Sequence, residues 1–234
     1  MLTAWNHDQL NRDQVGRDRT MTRQVLVLCD DKWHPASRVR AGLEALGTEE
    51  FTFDVIEDAG EWSAARMQHY PLVLLAKADH VSATENVPWI TPEVEAAFAD
   101  FVAAGGGLLA VHSGTIMKEL AGMRRLLGGT FTHHPPQCDV TVTPQGDHPI
   151  TLKVEPFTVR DEHYFMETDD SYVHHFLTTT SEHGVQSGGW WRDDGEGRVC
   201  VLSPGHNTEV WVHPEFQMLL RNSLLWCAKQ LPQA

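Results

Sequence analysis

The sequence predicts an α/β fold: a flavodoxin-like three-layer sandwich with a central, mostly parallel sheet, helices on both faces, and a mixed or antiparallel extension over about residues 129–200. Three observations carry this expectation. Gln24–Cys29 (QVLVLC), Leu72–Ala76 and Leu108–Val111 are short, unbroken apolar runs, the composition of strands buried on both faces. Helical spacing alternates with them, which reads as βα units with parallel crossovers. Past residue 128 this alternation gives way to prolines, paired glycines and short candidate strands.

Residues 1–22 are rich in Asn, Asp, Gln and Arg with little apolar periodicity, and read as a mobile N-terminal arm. Residues 23–231 read as a single domain, with no linker or internal repeat. After the first strand, Asp30-Asp31-Lys32-Trp33-His34-Pro35 forms a loop, Ser37 is placed to cap a helix over residues 38–46, and Gly47 ends it. Phe51–Ile56 is the second strand and Leu72–Ala76 the third. Thr91-Pro92-Glu93 is a helix start, with a capping hydroxyl, a proline at the first helical position and an acid in the first turn. Gly105-Gly106-Gly107 is a turn into the fourth strand, and the segment Lys118–Leu127 follows as a helix. Residues 140–143, 157–160, 172–176 and 189–191 are candidate strands of the extension. Arg198–Leu202 returns as a core strand, and a last helix starts near Pro214 with Phe216, Leu219, Leu220, Ser223, Leu224 and Cys227 facing inward.

A 234-residue chain that is 41% hydrophobic suffices for one generous core. The net charge of −14 speaks against nucleic acid or an anionic membrane surface as a partner. Cys29, Cys138, Cys200 and Cys227 show no CxxC spacing and read as reduced, buried thiols. No apolar run approaches a membrane span or a signal core, so the expected location is cytoplasmic.

Three loops at carboxyl strand ends each carry a histidine: His34 in residues 30–35, His112 in residues 112–115 and His206 in residues 203–207. A flavodoxin-like sheet points all three into one crevice. Each alone reads equally as a capping or loop histidine; three at equivalent places favour a site. In Asp161-Glu162-His163-Tyr164 an acid stands beside an aromatic residue, an arrangement that raises a carboxyl pKa toward neutrality, a surface turn being the alternative. His133-His134-Pro135-Pro136 reads as a stiff loop or the border of a polar ligand. Ser113 invites comparison with the G-x-S-x-G elbow, but Val111 and Thr115 occupy both glycine positions, so no serine nucleophile is expected. The three glycines precede their strand, so no nucleotide cofactor is indicated. Trp190, Trp191, Trp211 and Trp226 could stack on sugars, pack in the core, or support a homodimer interface.

His34-Pro35, GGGLLAVHSGT at residues 105–115, Leu127-Gly128-Gly129-Thr130-Phe131 with His134-Pro135, His148-Pro149-Ile150, Asp161-Glu162-His163-Tyr164, Gly195–Val199 and Pro204-Gly205-His206 occur in that order. Together they resemble the trehalose-utilization, or ThuA-like, family over about residues 24–229, and the resemblance implies the fold of class I glutamine amidotransferases. Laid on the G-x-C-x-G elbow of those enzymes, His112 stands at the cysteine, so glutamine hydrolysis through a thioester is not expected. What the resemblance implies is carbohydrate utilization, with a keto-disaccharide or glycoside as substrate and acid/base or metal-assisted chemistry. On that basis His112 is a base or metal ligand, Glu162 a general acid/base partner, and His206 an enolate-stabilising donor or second ligand. His34 completes a zinc-like divalent site, and His34, Ser113, His133, His134 and Tyr164 contact the sugar. The alternative is a non-catalytic sugar-binding or regulatory domain on a degenerate amidotransferase scaffold.

Overall fold

A computed structural model describes residues 22–231, so the arm expected over residues 1–22 lies, but for residue 22, outside the described residues. In chain order the first half comprises β1 (Arg23–Cys29), α1 (Ala36–Leu46), β2 (Phe51–Ile56), α2 (Ala64–Met67), β3 (Leu72–Ala76), α3 (Pro92–Ala103), β4 (Gly107–Val111) and α4 (Ala121–Leu127). The second half comprises β5 (Gly129–His133), β6 (Cys138–Pro144), β7 (Phe157–Asp161), β8 (Phe165–Thr168), β9 (His174–Ser181), β10 (Gly184–Asp194), β11 (Gly197–Leu202), α5 (Thr208–Trp211) and α6 (Pro214–Cys227). Among the described residues, nine strands form one sheet in the order β2-β1-β3-β4-β11-β10-β9-β6-β7, while β5 and β8 pair separately. The first five run parallel and the last four extend the sheet antiparallel, beginning at the β10–β11 hairpin. The parallel part has the flavodoxin-like order, whose switch point lies between β1 and β3.

Alternation along the buried strands divides the core into two layers. Val25, Val27, Leu109 and Cys200 pack with α1, α5 and α6 through Val39, Leu43, Trp211 and Leu220. Leu26, Leu28, Leu108 and Val199 pack on the other face with Met67, Phe98, Val102, Met123 and Leu127. The inward residues expected on the last helix are all buried, and the four cysteines are free and buried. Thr91 caps α3 by accepting the Val94 N–H.

Several local expectations change. The first helix begins at Ala36, and Pro35 stands at its cap position; its first N–H is taken by the carboxylate of Asp30 (2.9 Å), a loop residue at φ 75°, so Ser37 is not the cap. The helix expected from Lys118 begins at Ala121. Tyr172 lies in a turn, with the strand starting at His174, and β5, β8, α2 and α5 are additional elements.

His148 shows how burial makes this core pH-sensitive. It caps the 3-10 turn Pro149–Thr151 by accepting the Ile150 N–H at Nδ1, and its ring stacks on Trp191. Burial and then the charge of Arg198 push its pKa down from 6.5 to about 4. A histidine whose folded pKa is depressed contributes stability that is full above its unfolded value and is lost as pH falls through the folded one. His148→Asn keeps a capping side chain without the titration. We expect the thermal midpoint of the wild type to fall more steeply than that of the variant between pH 6.5 and 4; parallel curves would remove His148 as a cause.

Candidate functional site

The site is assembled at the carboxyl edge of the sheet, where each loop is fixed by a buried polar group. Below it, the Lys77 side chain is fully buried and donates to the carbonyls of Cys29 (3.3 Å), Asp30 and Glu57 (2.9 Å), tying together the ends of β1, β2 and β3. Asp31 is likewise fully buried. Its Oδ1 accepts the N–H groups of Trp33 (2.9 Å) and His34 (3.1 Å), and its Oδ2 accepts that of Ala78 (3.0 Å). The same carboxylate lies 2.7 Å from Nδ1 of His34. Burial acts to raise the Asp31 pKa, but the contacts with His34 and with the backbone outweigh it and hold the carboxyl well below its ordinary range. An ionised carboxylate only accepts, so His34 Nδ1 carries a proton toward Asp31 and Nε2 is the ring nitrogen left to face the cluster.

The β4 elbow places His112 at φ 47°, in the left-handed region that a non-glycine side chain enters only under constraint. The constraint is visible: Thr115 donates its hydroxyl to the His112 carbonyl (2.6 Å), and His112 Nδ1 donates to the Ser203 carbonyl (2.8 Å). His112 Nε2 therefore also presents a lone pair. Burial drives the His112 pKa from 6.5 to about 3, against the neighbouring carboxylate, so the ring is neutral at physiological pH.

After β11 the chain is held by Asp161 at the end of β7, which accepts the N–H groups of Gly205 (2.9 Å), His206 (3.0 Å) and Asn207 (3.3 Å). Burial pushes its pKa up to about 6, in opposition to those bonds. Glu162, the next residue, sends Oε2 to within 3.0 Å of His206 Nδ1, 3.5 Å of His112 Nε2 and 3.6 Å of His134 Nε2. Burial acts to raise its pKa, yet the contacts with His112 and His206 prevail and hold it well below the ordinary carboxylate range. Of the two acids expected in this segment, burial thus lifts Asp161 toward neutrality, whereas Glu162 is held low.

His34, His112, Glu162 and His206 each bring one ligand atom into a cluster with all four atoms within 4.8 Å of one another, and these residues could hold a metal ion. His112 Nε2 and His206 Nδ1 are buried without a well-formed hydrogen bond. A neutral His112 offers Glu162 a lone pair and no proton at Nε2, so its closeness to an ionised carboxylate is favourable only with a proton or a cation shared between them. Metal bonds of about 2.0–2.2 Å in a tetrahedral site set every pair of ligand atoms roughly 3.3–3.6 Å apart. A spread of up to 4.8 Å therefore needs closure of roughly an ångström or a little more at its widest.

His34, Glu162 and His206 of the cluster line a cavity of about 620 Å³ together with Trp33, His80, Phe131, His134 and Tyr164, while His112 lies buried against the Tyr164 ring. Tyr164 stacks on His112 with ring centroids 3.8 Å apart, and its hydroxyl lies 3.4 Å from His34 Nε2. Burial raises the Tyr164 pKa well above 10, so it remains a neutral phenol that can donate. His134 Nδ1 donates to the Pro135 carbonyl (2.7 Å), leaving Nε2 as its free acceptor toward the cavity floor.

Of the residues singled out from sequence, His34, His112, Glu162, His206, His134 and Tyr164 come together. Ser113 is buried in the turn after β4 and does not line the cavity. His133 is exposed, and its ring packs at 4.6 Å from Phe165, outside the cavity. Trp190, Trp211 and Trp226 are buried and offer no face to a sugar. Sequence reasoning missed Asp31, Asp161, Lys77, Phe131 and Trp33. The signal available for the first two was an acid three residues before His34 and another directly before Glu162.

Asp31 is the positioning residue for His34, and such partners of metal-binding histidines typically change affinity about 10–100-fold when altered. Asp31→Asn retains one acceptor but loses the charge and the second acceptor. We expect about tenfold weaker zinc binding in a competition titration against a chelating dye; an unchanged constant would show that His34 needs no such anchor.

The family model described as trehalose utilisation (ThuA) matches residues 24–227. No curated protein matches the chain in sequence. Among solved structures, a ThuA-like protein from Bacteroides uniformis ATCC 8492 superposes with TM-score 0.70 at 17% identity, covering 88% of this chain and 91% of that one. A ThuA-like protein from Parabacteroides merdae ATCC 43184 gives 0.70 at 14%, covering 89% and 91%. A β-galactosidase from Rahnella sp. R3 gives 0.65 at 15%, with 89% of this chain matching 31% of that one. At these identities the structures establish a shared fold.

Proposed function

The chain belongs to the trehalose-utilisation (ThuA) family, and from that premise we propose that it is a carbohydrate-utilization enzyme acting on a keto-disaccharide or glycoside through a divalent transition-metal site. The single observation that carries this reading is the convergence of three imidazoles and one ionised carboxylate beneath an open cavity. Neutral nitrogen donors with one carboxylate suit zinc or a similar ion, whereas calcium and magnesium prefer oxygen. A bound divalent ion would polarise a sugar carbonyl and acidify the neighbouring C–H and O–H groups.

The residues of the chain supply the rest. Glu162, anionic and held between His112 and His206, serves as a ligand and not as a proton donor. His134 is placed to take a proton at Nε2, and the Tyr164 phenol to donate a hydrogen bond to a developing oxyanion. The cavity is large enough for a sugar of one or two rings. With His112 at the elbow, a thioester is not formed, which separates this chemistry from glutamine hydrolysis. On this reading the partner is a small sugar, with neither nucleic acid nor a membrane involved, and the protein works in the cytoplasm. Among the described residues no helix is long and apolar enough to cross a membrane.

Elemental analysis of protein purified without chelator tests the proposal directly. We expect about one transition-metal ion per chain, and conversion of a keto-disaccharide or keto-glycoside that stops after chelation and returns with metal. A metal-free protein that binds such sugars and returns them unchanged would favour the non-catalytic, sugar-sensing alternative.

A further inference from the structure

Among the described tryptophans, Trp33 differs in setting. It is 61% exposed, whereas Trp190, Trp211 and Trp226 are buried, and Trp33 lies in the lining of the same cavity as the histidine cluster. An indole exposed within the lining of such a cavity presents a broad apolar face, with one polar N–H, that a ligand entering the cavity can cover. Its position is also set. The Trp33 N–H is held by Asp31, the carboxylate that orients the adjacent His34, and the Lys32 ammonium lies over the indole 4.7 Å from the ring centroid.

We propose that Trp33 is the platform of an outer sugar subsite, so that the protein takes a disaccharide or other glycoside in preference to a free hexose. The inference rests on the proposed sugar chemistry of the histidine cluster and extends it outward by one ring. The axial C–H face of a pyranose is apolar and slightly positive, and it stacks on the negative face of an indole by the electrostatics that draw cations and aromatic edges there. A first ring reaching the cluster would lie between Tyr164, Phe131 and His134. A second ring then leaves the floor toward the mouth, where Trp33 supplies an apolar face and Lys32 and His80 supply polar groups. The cavity of about 620 Å³ is larger than a single hexose requires. Asp31 accepts the main-chain N–H groups of both Trp33 and His34, so one buried side chain ties the backbone beside the proposed outer subsite to a ligand of the inner one.

Calorimetric titration of zinc-loaded protein with trehalose, maltose and glucose, repeated for Trp33→Ala and Trp33→Phe, tests the proposal. Trp33 is exposed and its side chain carries little of the core, so both variants should fold, which circular dichroism and an unchanged metal content would verify. We expect at least one disaccharide to bind the wild type about tenfold more tightly than glucose. Trp33→Ala should erase that preference while leaving glucose affinity alone, and Trp33→Phe should restore most of it. No detectable binding of any of the three sugars, equal wild-type affinity for glucose and both disaccharides, or a disaccharide affinity indifferent to Trp33→Ala would overturn the subsite. Failure of the metal site itself would appear separately, as a wild type that does not take up zinc.

Discussion

Glu162→Gln is expected to abolish stoichiometric metal binding and to lower turnover of a keto-glycoside at least a hundredfold. Changes to the residues that merely orient metal-bound histidines cost about 10–100-fold, and loss of a ligand itself costs no less. The carboxamide is nearly isosteric, so shape and burial are preserved while the charge is removed. What remains is a set of three imidazoles, two of them oriented through Nδ1 by the Asp31 carboxylate and the Ser203 carbonyl. Without the anion these donors bind a dication weakly. Elemental analysis and a progress curve on the same preparation suffice. A variant that retains its metal and its rate would make Glu162 dispensable and undo the proposed reaction, whereas retained metal with lost activity would transfer the carboxylate's role from ligand to acid/base group.

Gly114→Ala carries the second large effect, and it acts through structure. Gly114 lies two residues past His112, where the turn after β4 presses against β3; a Cβ there would fall well inside van der Waals contact of the Leu75 carbonyl oxygen. Leu75 is a fully buried central-strand residue whose backbone is held between β1 and β4, so the carbonyl has nowhere to retreat. Overpacking of this kind costs on the order of 3 kcal/mol, corresponding to a drop of about 6–12 °C in thermal midpoint for a chain of this size. The turn must shift if the sheet does not, and His112 shifts with it. We therefore expect weakened metal binding to accompany the lower midpoint. A variant with the wild-type midpoint would show that the turn tolerates a methyl group.

The parallel half of the fold is legible in sequence because its strands are buried on both faces and so appear as uninterrupted apolar runs, as in Leu72–Ala76 and Leu108–Val111. Its helices carry their own punctuation in Thr91-Pro92 and Gly47. The extension is less legible. β9 and β10 bury only part of their length, threonine and serine interrupt their apolar alternation, and irregular register between Ser187 and Trp190 breaks the period. Asp30 shows the limit of local capping rules: the acceptor for the first N–H of α1 comes from six residues upstream, across a loop whose path only the tertiary structure defines. The three histidines were legible because strand ends in this fold converge. The partners of those histidines were not, since Ser203 acts through its carbonyl, which every residue possesses, and Trp33 differs from other tryptophans only in being exposed.

The ligand cluster draws on loops following β1, β4, β7 and β11, so its members span residues 34 to 206 of the chain. A nascent chain has no such cluster until nearly all of the domain has been synthesised and the crossover from β4 to β11 has closed. Such distant pairings are slow to form. Capture of the proposed metal would therefore be a late event in the life of the polypeptide, and the ion, binding only the finished arrangement, would act as a thermodynamic lock on the whole domain. Release of metal during denaturation should coincide with loss of the sheet, making a colorimetric chelator a reporter of global unfolding.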